Sequence, residues 1–166
     1  MEIITERLKI IPVDLEFIEA AIRNDSGKIR SLGYKATDEW PEPDLMEALP
    51  EFRNLIINNG VNGFGLWVIL EKITHEIVGS IGFLGMPDEN GNVEIGFGII
   101  PSKRKLGYCF ESCNEMIKWA FKQKNINCIK SQCQESNSAS RSILAKTGFI
   151  IKGHNEGMIN WERFLL

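Results

Sequence analysis

Long apolar runs are missing from this sequence. No stretch approaches the length of about 20 apolar residues that a membrane-spanning helix needs. The first eleven residues already carry Glu2, Glu6, Arg7 and Lys9, which is unlike a signal peptide. We therefore expect a cytoplasmic protein that does not associate with a membrane.

Blocks of positive charge are also missing. The chain has 19 Lys and Arg against 22 Asp and Glu, a net charge of −3, and the two signs are interspersed. Nucleic-acid binding depends on clustered basic side chains that contact phosphates. The sequence therefore predicts no nucleic-acid partner.

Metal-binding spacings are absent as well. The four cysteines show no CxxC pair, and none of the two histidines lies near them to complete a ligand set. We expect no metal site and four free thiols, which are Cys109, Cys113, Cys128 and Cys133.

What the sequence does contain is enough apolar material for one domain. With 166 residues, 43% of them hydrophobic, residues 1–166 are expected to form a single unit around a continuous core. Alternating and apolar stretches predict strands at residues 7–12, 64–70, 76–84, 92–100, 128–133, 149–152 and 158–165. Helical spacing predicts helices at residues 14–23, 28–32, 45–58, 106–124 and 138–146.

The order of these elements predicts an α/β (α+β) fold. Short turns between the strands at 64–100 favour an antiparallel meander. The strand–helix–strand run from residue 92 to residue 133 implies a parallel, right-handed crossover. We expect one mixed, mostly antiparallel sheet with flanking helices.

The start of the long helix carries the clearest chemical signal. The run from Arg104 to Cys109 lies where a strand has ended and a helix begins, so unpaired backbone N–H groups and the positive end of the helix dipole meet there. Gly107 allows a ligand to approach the backbone closely, and Lys103 and Lys105 add positive charge. This corner suits a diphosphate, although a glycine near a helix start also serves as an ordinary turn residue.

Two other phosphate motifs are absent. There is no GxxxxGK[ST] loop and no GxGxxG fingerprint. Gly96 and Gly98 instead lie inside a strand, where a glycine often marks the close approach of a ligand or a bulge.

These residues resemble a known family. The segment Arg104-x-x-Gly107-x-Cys109 is similar to the Q/R-x-x-G-x-G/A motif of the GNAT N-acetyltransferases. Further segments resemble the branch that contains the ribosomal-protein N-acetyltransferases, namely Thr5-Glu6-Arg7-Leu8, Val93-Glu94-Ile95-Gly96-Phe97, Pro101, Gly107-Tyr108, Asn137-x-x-Ser140 and Lys146-x-Gly148-Phe149. The resemblance covers nearly the whole chain.

The resemblance implies a binding mode for acetyl-CoA between two splayed parallel strands, residues 93–100 and 128–133. The pyrophosphate would meet the amides of Lys105, Leu106, Gly107, Tyr108 and Cys109 beside Arg104, and the backbone of Ile99 and Ile100 would pair with the pantetheine arm. Three positions depart from the family pattern: Lys105, Leu106 and Cys109 replace the commoner Gly, Lys or Arg, and Gly or Ala.

Transfer to an amine requires a base, because the ammonium form of the acceptor cannot attack. Glu94 matches the strand carboxylate that acts through water in some relatives, and it alternates away from the apolar Val93 and Ile95. The alternative is a purely structural carboxylate paired with a neighbouring lysine.

No side chain is an obvious acid for the leaving thiol. Relatives often use a tyrosine at the position of Leu144, so Ser140 is the substitute that the resemblance suggests. Ser140 and Asn137 equally suit a plain helix cap, and a thiol is a good leaving group without acid catalysis.

The acceptor is the least defined part. Trp40, Trp67 and Trp161 are candidates for its pocket, with core packing as the alternative for each. The sequence thus predicts an acetyl-CoA-dependent N-acetyltransferase, monomer or homodimer, that acts on a primary amine. The alternatives are a non-catalytic CoA-binding or sensory module of the same fold and a nucleotide-binding regulatory domain.

Overall fold

A computed structural model describes all 166 residues as eight strands and five helices. The strands are β1 Ile3–Ile4, β2 Leu8–Pro12, β3 Leu66–Glu71, β4 Ile77–Phe83, β5 Asn92–Ile99, β6 Cys128–Gln134, β7 Ile150–Asn155 and β8 Met158–Phe164. The helices are α1 Leu15–Ile22, α2 Ser26–Ser31, α3 Pro43–Asn59, α4 Tyr108–Phe121 and α5 Ser138–Lys146.

Capping side chains define several of these boundaries. Asp14 precedes α1 and its Oδ1 accepts a hydrogen bond from the Phe17 amide at 2.9 Å, as the sequence predicts. Helix α3 begins earlier than the apolar spacing indicates, because Pro43 occupies the first turn, where its missing N–H costs nothing. Strand β3 starts at Leu66 rather than residue 64, because the Asn62 side chain accepts from the Phe64 amide and holds that residue in a turn.

The eight strands form one sheet in the order β1-β2-β3-β4-β5-β6-β8-β7. Every neighbouring pair is antiparallel except β5 and β6, which are parallel and joined through α4. The predicted α/β class, the meander β3-β4-β5, the parallel crossover and the closing hairpin are confirmed. Strand β1 was not predicted, since two residues carry no periodic signal.

Alternate residues of the central strands pack into two hydrophobic cores, one on each face of the sheet. In β3, Trp67 and Ile69 point to the core that α4 covers, whereas Leu66, Val68 and Leu70 point to the core that α1 and α3 cover. The sheet is therefore buried on both faces in its central part, with α4 on one side and α1–α3 on the other.

The pairing between β5 and β6 is short. It includes only Asn92–Cys128, Val93–Ile129 and Glu94–Lys130. Beyond Glu94, β5 continues along β4 as far as Ile99, and β6 continues along β8 as far as Gln134. The two strands thus separate toward their carboxyl ends and leave a cleft in the middle of the sheet.

Candidate active site

The β5 wall of this cleft presents unpaired backbone. Glu94 and Ile100 exchange hydrogen bonds with β4, through Leu84 N to Glu94 O and Ile100 N to Val78 O, both at 2.9 Å. In an antiparallel ladder alternate residues bond to one neighbour, so the odd residues of β5 turn their polar groups toward β6. Because the β5–β6 ladder stops at Glu94, the N–H groups of Phe97 and Ile99 face the open cleft.

The carbonyl groups on this wall are partly engaged. Ile95 O accepts from Ser131 Oγ of β6 at 2.9 Å, and Ile99 O accepts from Arg104 Nε at 2.9 Å. Free donors therefore predominate between these two points, which favours a ligand that offers carbonyl oxygens.

Ile100 does not fit the role that the sequence suggested. Its N–H donates to Val78 O, and its carbonyl accepts from Lys103 N at 3.0 Å. The side chain is fully buried. Pairing with an extended ligand arm is therefore left to Phe97 and Ile99.

The cleft ends at the start of α4. Gly107 precedes this helix with a left-handed φ of 84° and no side chain caps the first turn. The first helical bond runs from Glu111 N to Gly107 O, so the amides of Tyr108, Cys109 and Phe110 have no partner within the helix. Residues 104–107 are exposed, which leaves these amides and the Arg104 and Lys105 side chains open to an anion.

An arginine directly before β2 holds this loop in place. Arg7 donates from Nη1 to Leu106 O at 2.7 Å and from Nε to Glu111 Oε2 at 2.8 Å. Its guanidinium also lies over the Tyr108 ring, 4.7 Å from the centroid. Thr5 Oγ1 donates to Glu111 Oε1 at 2.5 Å, so the Thr5-x-Arg7 segment anchors both the loop and the first turn of α4.

The start of α5 lies at the same edge of the sheet, because β5 and β6 are parallel and their following segments emerge together. Asn137 Oδ1 accepts from the Ser140 amide at 3.1 Å and caps the helix. Ser140 is half-buried, and nothing in the structure binds its hydroxyl group. Leu144, at the position of the family's tyrosine, is buried in the α4-side core.

No nearby tyrosine replaces that acid. The hydroxyl group of Tyr108 donates to Glu71 Oε1 of β3 at 2.8 Å. This hydrogen bond, together with burial, raises the pKa of Tyr108. The Tyr108 hydroxyl group is therefore hydrogen-bonded to β3, which lies two strands away from the cleft, and it does not point to the leaving thiol.

Glu94 lies at the closed end of the cleft. It shares the α1–α3 face of β5 with Gly96 and Gly98, is half-buried, and stands directly opposite Lys130. No bulge interrupts β5 at the two glycines. The structure therefore leaves both interpretations of Glu94, base or partner of a lysine, in place.

The three tryptophans predicted to line the acceptor pocket are core residues. Trp40, Trp67 and Trp161 are only 3%, 0% and 5% exposed. Their indole N–H groups are occupied by Ser80 Oγ, Gly63 O and Cys133 Sγ respectively. We therefore correct the earlier assignment, because side chains this deeply buried have no surface with which to meet an acceptor.

A carboxylate that the sequence did not single out lies against the β5 wall of the cleft. Glu42 precedes α3 and reaches across to Gly98, where an added Cβ would lie 3.2 Å from Glu42 Oε1. Burial raises the pKa of Glu42, Asp44 and Glu39 raise it further, and Arg104 opposes them. The sequence around it, Trp40-Pro41-Glu42-Pro43, indicates only a turn before a helix, so no local signal marks its role.

The structure also describes the cysteines, the spacing of possible metal ligands and the character of the helices. All four cysteines are free thiols, with Cys109 half-buried at the cleft end of α4. No group of three or more His, Cys, Asp or Glu side chains comes close enough to share a metal ion. None of the five helices is sufficiently long and apolar to cross a bilayer.

The sequence matches one family model and several known proteins. Residues 7–150 match the family model described as the acetyltransferase (GNAT) domain. The uncharacterized N-acetyltransferase YjdG of Bacillus subtilis (strain 168) is 40% identical over 158 residues, which cover 95% of this chain and 94% of YjdG. The uncharacterized N-acetyltransferase p20 of Bacillus licheniformis is 24% identical over 149 residues, which cover 90% of this chain and 82% of p20.

Solved structures show the same fold. A ribosomal-protein-S5-alanine acetyltransferase from Vibrio fischeri superimposes with a TM-score of 0.69 at 16% identity, covering 99% of this chain and 96% of that one. The ribosomal L7/L12 α-N-protein acetyltransferase RimL, solved in complex with coenzyme A, gives 0.70 at 16% identity, covering 99% and 98%.

The chain belongs to the GNAT acetyltransferase family. It is an acyl-CoA-dependent N-acetyltransferase.

Proposed function

We propose that this enzyme transfers the acetyl group of acetyl-CoA directly to a primary amine that is bound on the α1–α3 face of the cleft. The observation that carries the proposal is the continuity of one surface: the free N–H groups of Phe97 and Ile99 lead along β5 to the uncapped first turn of α4. A chain with carbonyl groups at one end and a diphosphate at the other suits this surface.

The residues at the α4 end fit the diphosphate. The exposed loop from Arg104 to Gly107 carries two cations, and the amides of Tyr108 and Cys109 point outward from the helix start. Asn137 and Ser140 border the same edge on the β6 side, where we propose that they contact the cofactor near its sulfur.

The reaction requires few further protein groups, because acetyl-CoA supplies the activated thioester. One of the two free N–H groups, that of Phe97 or that of Ile99, would donate to the oxygen that becomes negative, while the other pairs with the arm of the cofactor. The donor lowers the barrier without a charged side chain. Ser140 would stand near the departing sulfur. A carboxylate on the α1–α3 face of β5 would take the proton from the amine, and the candidates are Glu94, which the family resemblance suggests, and Glu42.

A non-catalytic, CoA-binding role is the second candidate. The buried Leu144 and the engaged Tyr108 hydroxyl leave the cleft without a tyrosine acid. Release of free thiol during incubation with acetyl-CoA and a panel of amines separates the two. Tight CoA binding without turnover for any amine would favour the second candidate.

The pyrophosphate position has a direct test in Gly107→Glu. The new carboxylate would occupy the loop at φ 84° and repel a diphosphate, so CoA affinity is expected to fall at least about tenfold, a change of roughly 1.4 kcal/mol. Titration calorimetry with CoA measures it.

Gly157→Glu is the matched control. This residue has a similar φ of 78° in the β7–β8 turn and nothing within 4 Å of an added Cβ. Both variants place a side chain at a left-handed φ and add the same charge, although at Gly107 an added Cβ also lies 3.1 Å from Arg7 Nη2. Equal CoA affinity in the two variants would overturn the placement of the pyrophosphate.

A further inference from the structure

We infer that Glu42, and not Glu94, is the general base that removes the proton from the acceptor amine. The inference rests on the proposed function, since it assigns a residue to that same reaction. It follows from the position of the Glu42 carboxylate relative to the two free N–H groups of β5.

The two N–H groups bracket the place where the reacting carbonyl must lie. An oxygen that becomes negative has to be within hydrogen-bond distance of a donor, and the donors on the open wall belong to Phe97 and Ile99. Gly98 lies between them. The reacting carbon is therefore placed beside Gly98.

Glu42 is the carboxylate at that point. Its Oε1 lies 3.2 Å from the position of an added Cβ at Gly98, on the α1–α3 face of the strand. Since Gly98 has no side chain, the Glu42 carboxylate approaches the strand backbone closely, and an amine that attacks a carbonyl beside Gly98 would come within its reach. Burial raises the pKa of Glu42 and outweighs the hydrogen bond that its own backbone N–H donates to the carboxylate, so the net shift is upward.

Glu94 is too far along the strand for the same task. Four residues separate it from Gly98, which corresponds to about 13 Å of extended chain. It also stands opposite Lys130, where the parallel ladder is still closed. A base must come within hydrogen-bond distance of the proton that it removes, or within one water molecule of it.

The proposed step balances without a further reactant. Glu42 takes one proton from the acceptor ammonium, and the freed nitrogen lone pair forms the C–N bond with the thioester carbon. The oxygen that gains the electron pair accepts hydrogen bonds from Phe97 or Ile99. On collapse the electron pair on oxygen re-forms the C=O bond and the C–S bond breaks. The thiolate leaves with the C–S bonding pair and takes the second nitrogen proton, and Glu42 returns its proton to water.

The surroundings of Glu42 hold its pKa above that of an ordinary carboxylate. Burial raises its pKa, as do the negative charges of Asp44 on α3 and Glu39 on the preceding segment, while Arg104 after β5 lowers it. A base with a raised pKa takes a proton from an ammonium more readily than an ordinary carboxylate does.

The experiment compares Glu42→Gln with Glu94→Gln. The acceptor panel consists of short peptides with free α-amino groups, spermidine, glucosamine and free amino acids, and the release of CoA thiol is followed. For each accepted amine, Glu42→Gln is expected to lower kcat/KM at pH 7 at least about 100-fold and to abolish the acidic limb of the pH profile. CoA affinity stays within about twofold, and Glu94→Gln stays within about threefold of the wild type.

Asp44→Asn distinguishes a base from a structural residue. If the role of Glu42 is purely structural, this variant is expected to leave the pH profile unchanged. Removing this negative charge lowers the pKa of Glu42, so the acidic limb is expected to move to lower pH while activity is retained. Carboxyl carbon NMR, with the Glu42 signal assigned by its loss in Glu42→Gln, provides a readout without turnover. It is expected to titrate above the ordinary value of about 4.3.

Three results would overturn the inference: Glu42→Gln within about threefold of the wild type, a larger loss in Glu94→Gln, or a Glu42 signal that titrates at or below the ordinary value. These results leave the proposed function standing, because the wild type still turns over. A wild-type enzyme that acetylates no member of the panel would count against the proposed function itself and remove the basis for the base assignment.

Discussion

Lys105 has a backbone conformation that most side chains avoid. Its φ is 62°, and a residue with a Cβ in the left-handed region costs about 1–2 kcal/mol relative to the right-handed one. The family pattern that this segment resembles has glycine here, and the left-handed φ gives a physical reason, because glycine adopts it without a steric penalty. Lys105 therefore adds a positive charge to the loop and costs the backbone some conformational strain.

Lys105→Gly is expected to separate strain from charge. Relief of the left-handed conformation, offset in part by the greater freedom of glycine in the unfolded chain, raises the free energy of unfolding by up to about 1 kcal/mol. Loss of the exposed cation lowers CoA affinity about two- to fivefold. Denaturant unfolding and calorimetry measure the two effects.

Lys105→Ala is the control, because it removes the same charge and keeps the strain. Its CoA affinity is expected to match that of Lys105→Gly, while its stability does not rise. If the glycine variant is no more stable than the alanine variant, the strain at this residue is not significant.

Between elements, the contact of β2 with α4 shapes the cofactor loop. Glu111 receives hydrogen bonds from Thr5 and from the backbone and side chain of Arg7. Burial works to raise the pKa of Glu111, but these hydrogen bonds hold it below its ordinary value. The contact therefore strengthens the fold above the unfolded-state pKa of Glu111 and weakens as pH falls through the lower folded-state pKa.

Arg7→Ala is expected to loosen the loop without touching the ligand directly. Loss of the hydrogen bonds to Leu106 O and Glu111 allows the loop backbone to move, so CoA affinity falls about five- to tenfold, roughly 1–1.4 kcal/mol. Arg7→Lys recovers only part of it, because an ammonium group cannot bond to both partners at once with the planar geometry of a guanidinium. Calorimetry with CoA measures each variant.

Lys9→Ala provides the matched comparison. Lys9 lies two residues further along, on β2, and also forms an ion pair, with Glu2 at 3.0 Å, yet no hydrogen bond joins it to the loop. A loss of affinity as large in Lys9→Ala as in Arg7→Ala would contradict a specific role for the Arg7 contact.

The elements themselves were largely predictable, because their signals are local. Apolar periodicity located β4, β5, α4 and α5 to within a few residues, and the strand–helix–strand order predicted the parallel pair. The site was less predictable where it depends on contacts between distant segments. Trp40 is buried because Ser80, forty residues away, accepts its indole N–H.

Glu42 illustrates the same limit. Its sequence neighbours describe a turn and a helix start, whereas its place above Gly98 results from the packing of α1–α3 against the sheet. The motif around Arg104 to Cys109 was predictable for the opposite reason: its glycine, its cations and the helix start that it forms all lie within six consecutive residues.

At the scale of the whole molecule, the sheet consists of two parts that three residue pairs connect. The part from β1 to β5 carries α1–α3, and the part with β6, β8 and β7 closes the other side of the cleft. A ligand that lies between β5 and β6 would replace the missing ladder and join the two parts. Binding only to the folded state adds about 2.7 kcal/mol of stability at a ligand concentration of 100 times Kd.

Acetyl-CoA and CoA are therefore expected to raise the thermal midpoint by about 5 to 10 °C at that concentration, given the size of the chain. Hydrogen exchange identifies the place: the amides of Phe97 and Ile99 gain protection, whereas the Ile100 amide changes little because it already donates to Val78 O. Gly107→Glu, measured in parallel at the same CoA concentration, is expected to show at most about half of this midpoint shift, because an affinity about tenfold weaker leaves about 1.4 kcal/mol of stabilisation. A midpoint shift with ATP as large as that with CoA, or protection gained at Ile100 and not at Phe97, would contradict a pantetheine arm paired to the open edge of β5, and would favour a site that recognises the nucleotide alone.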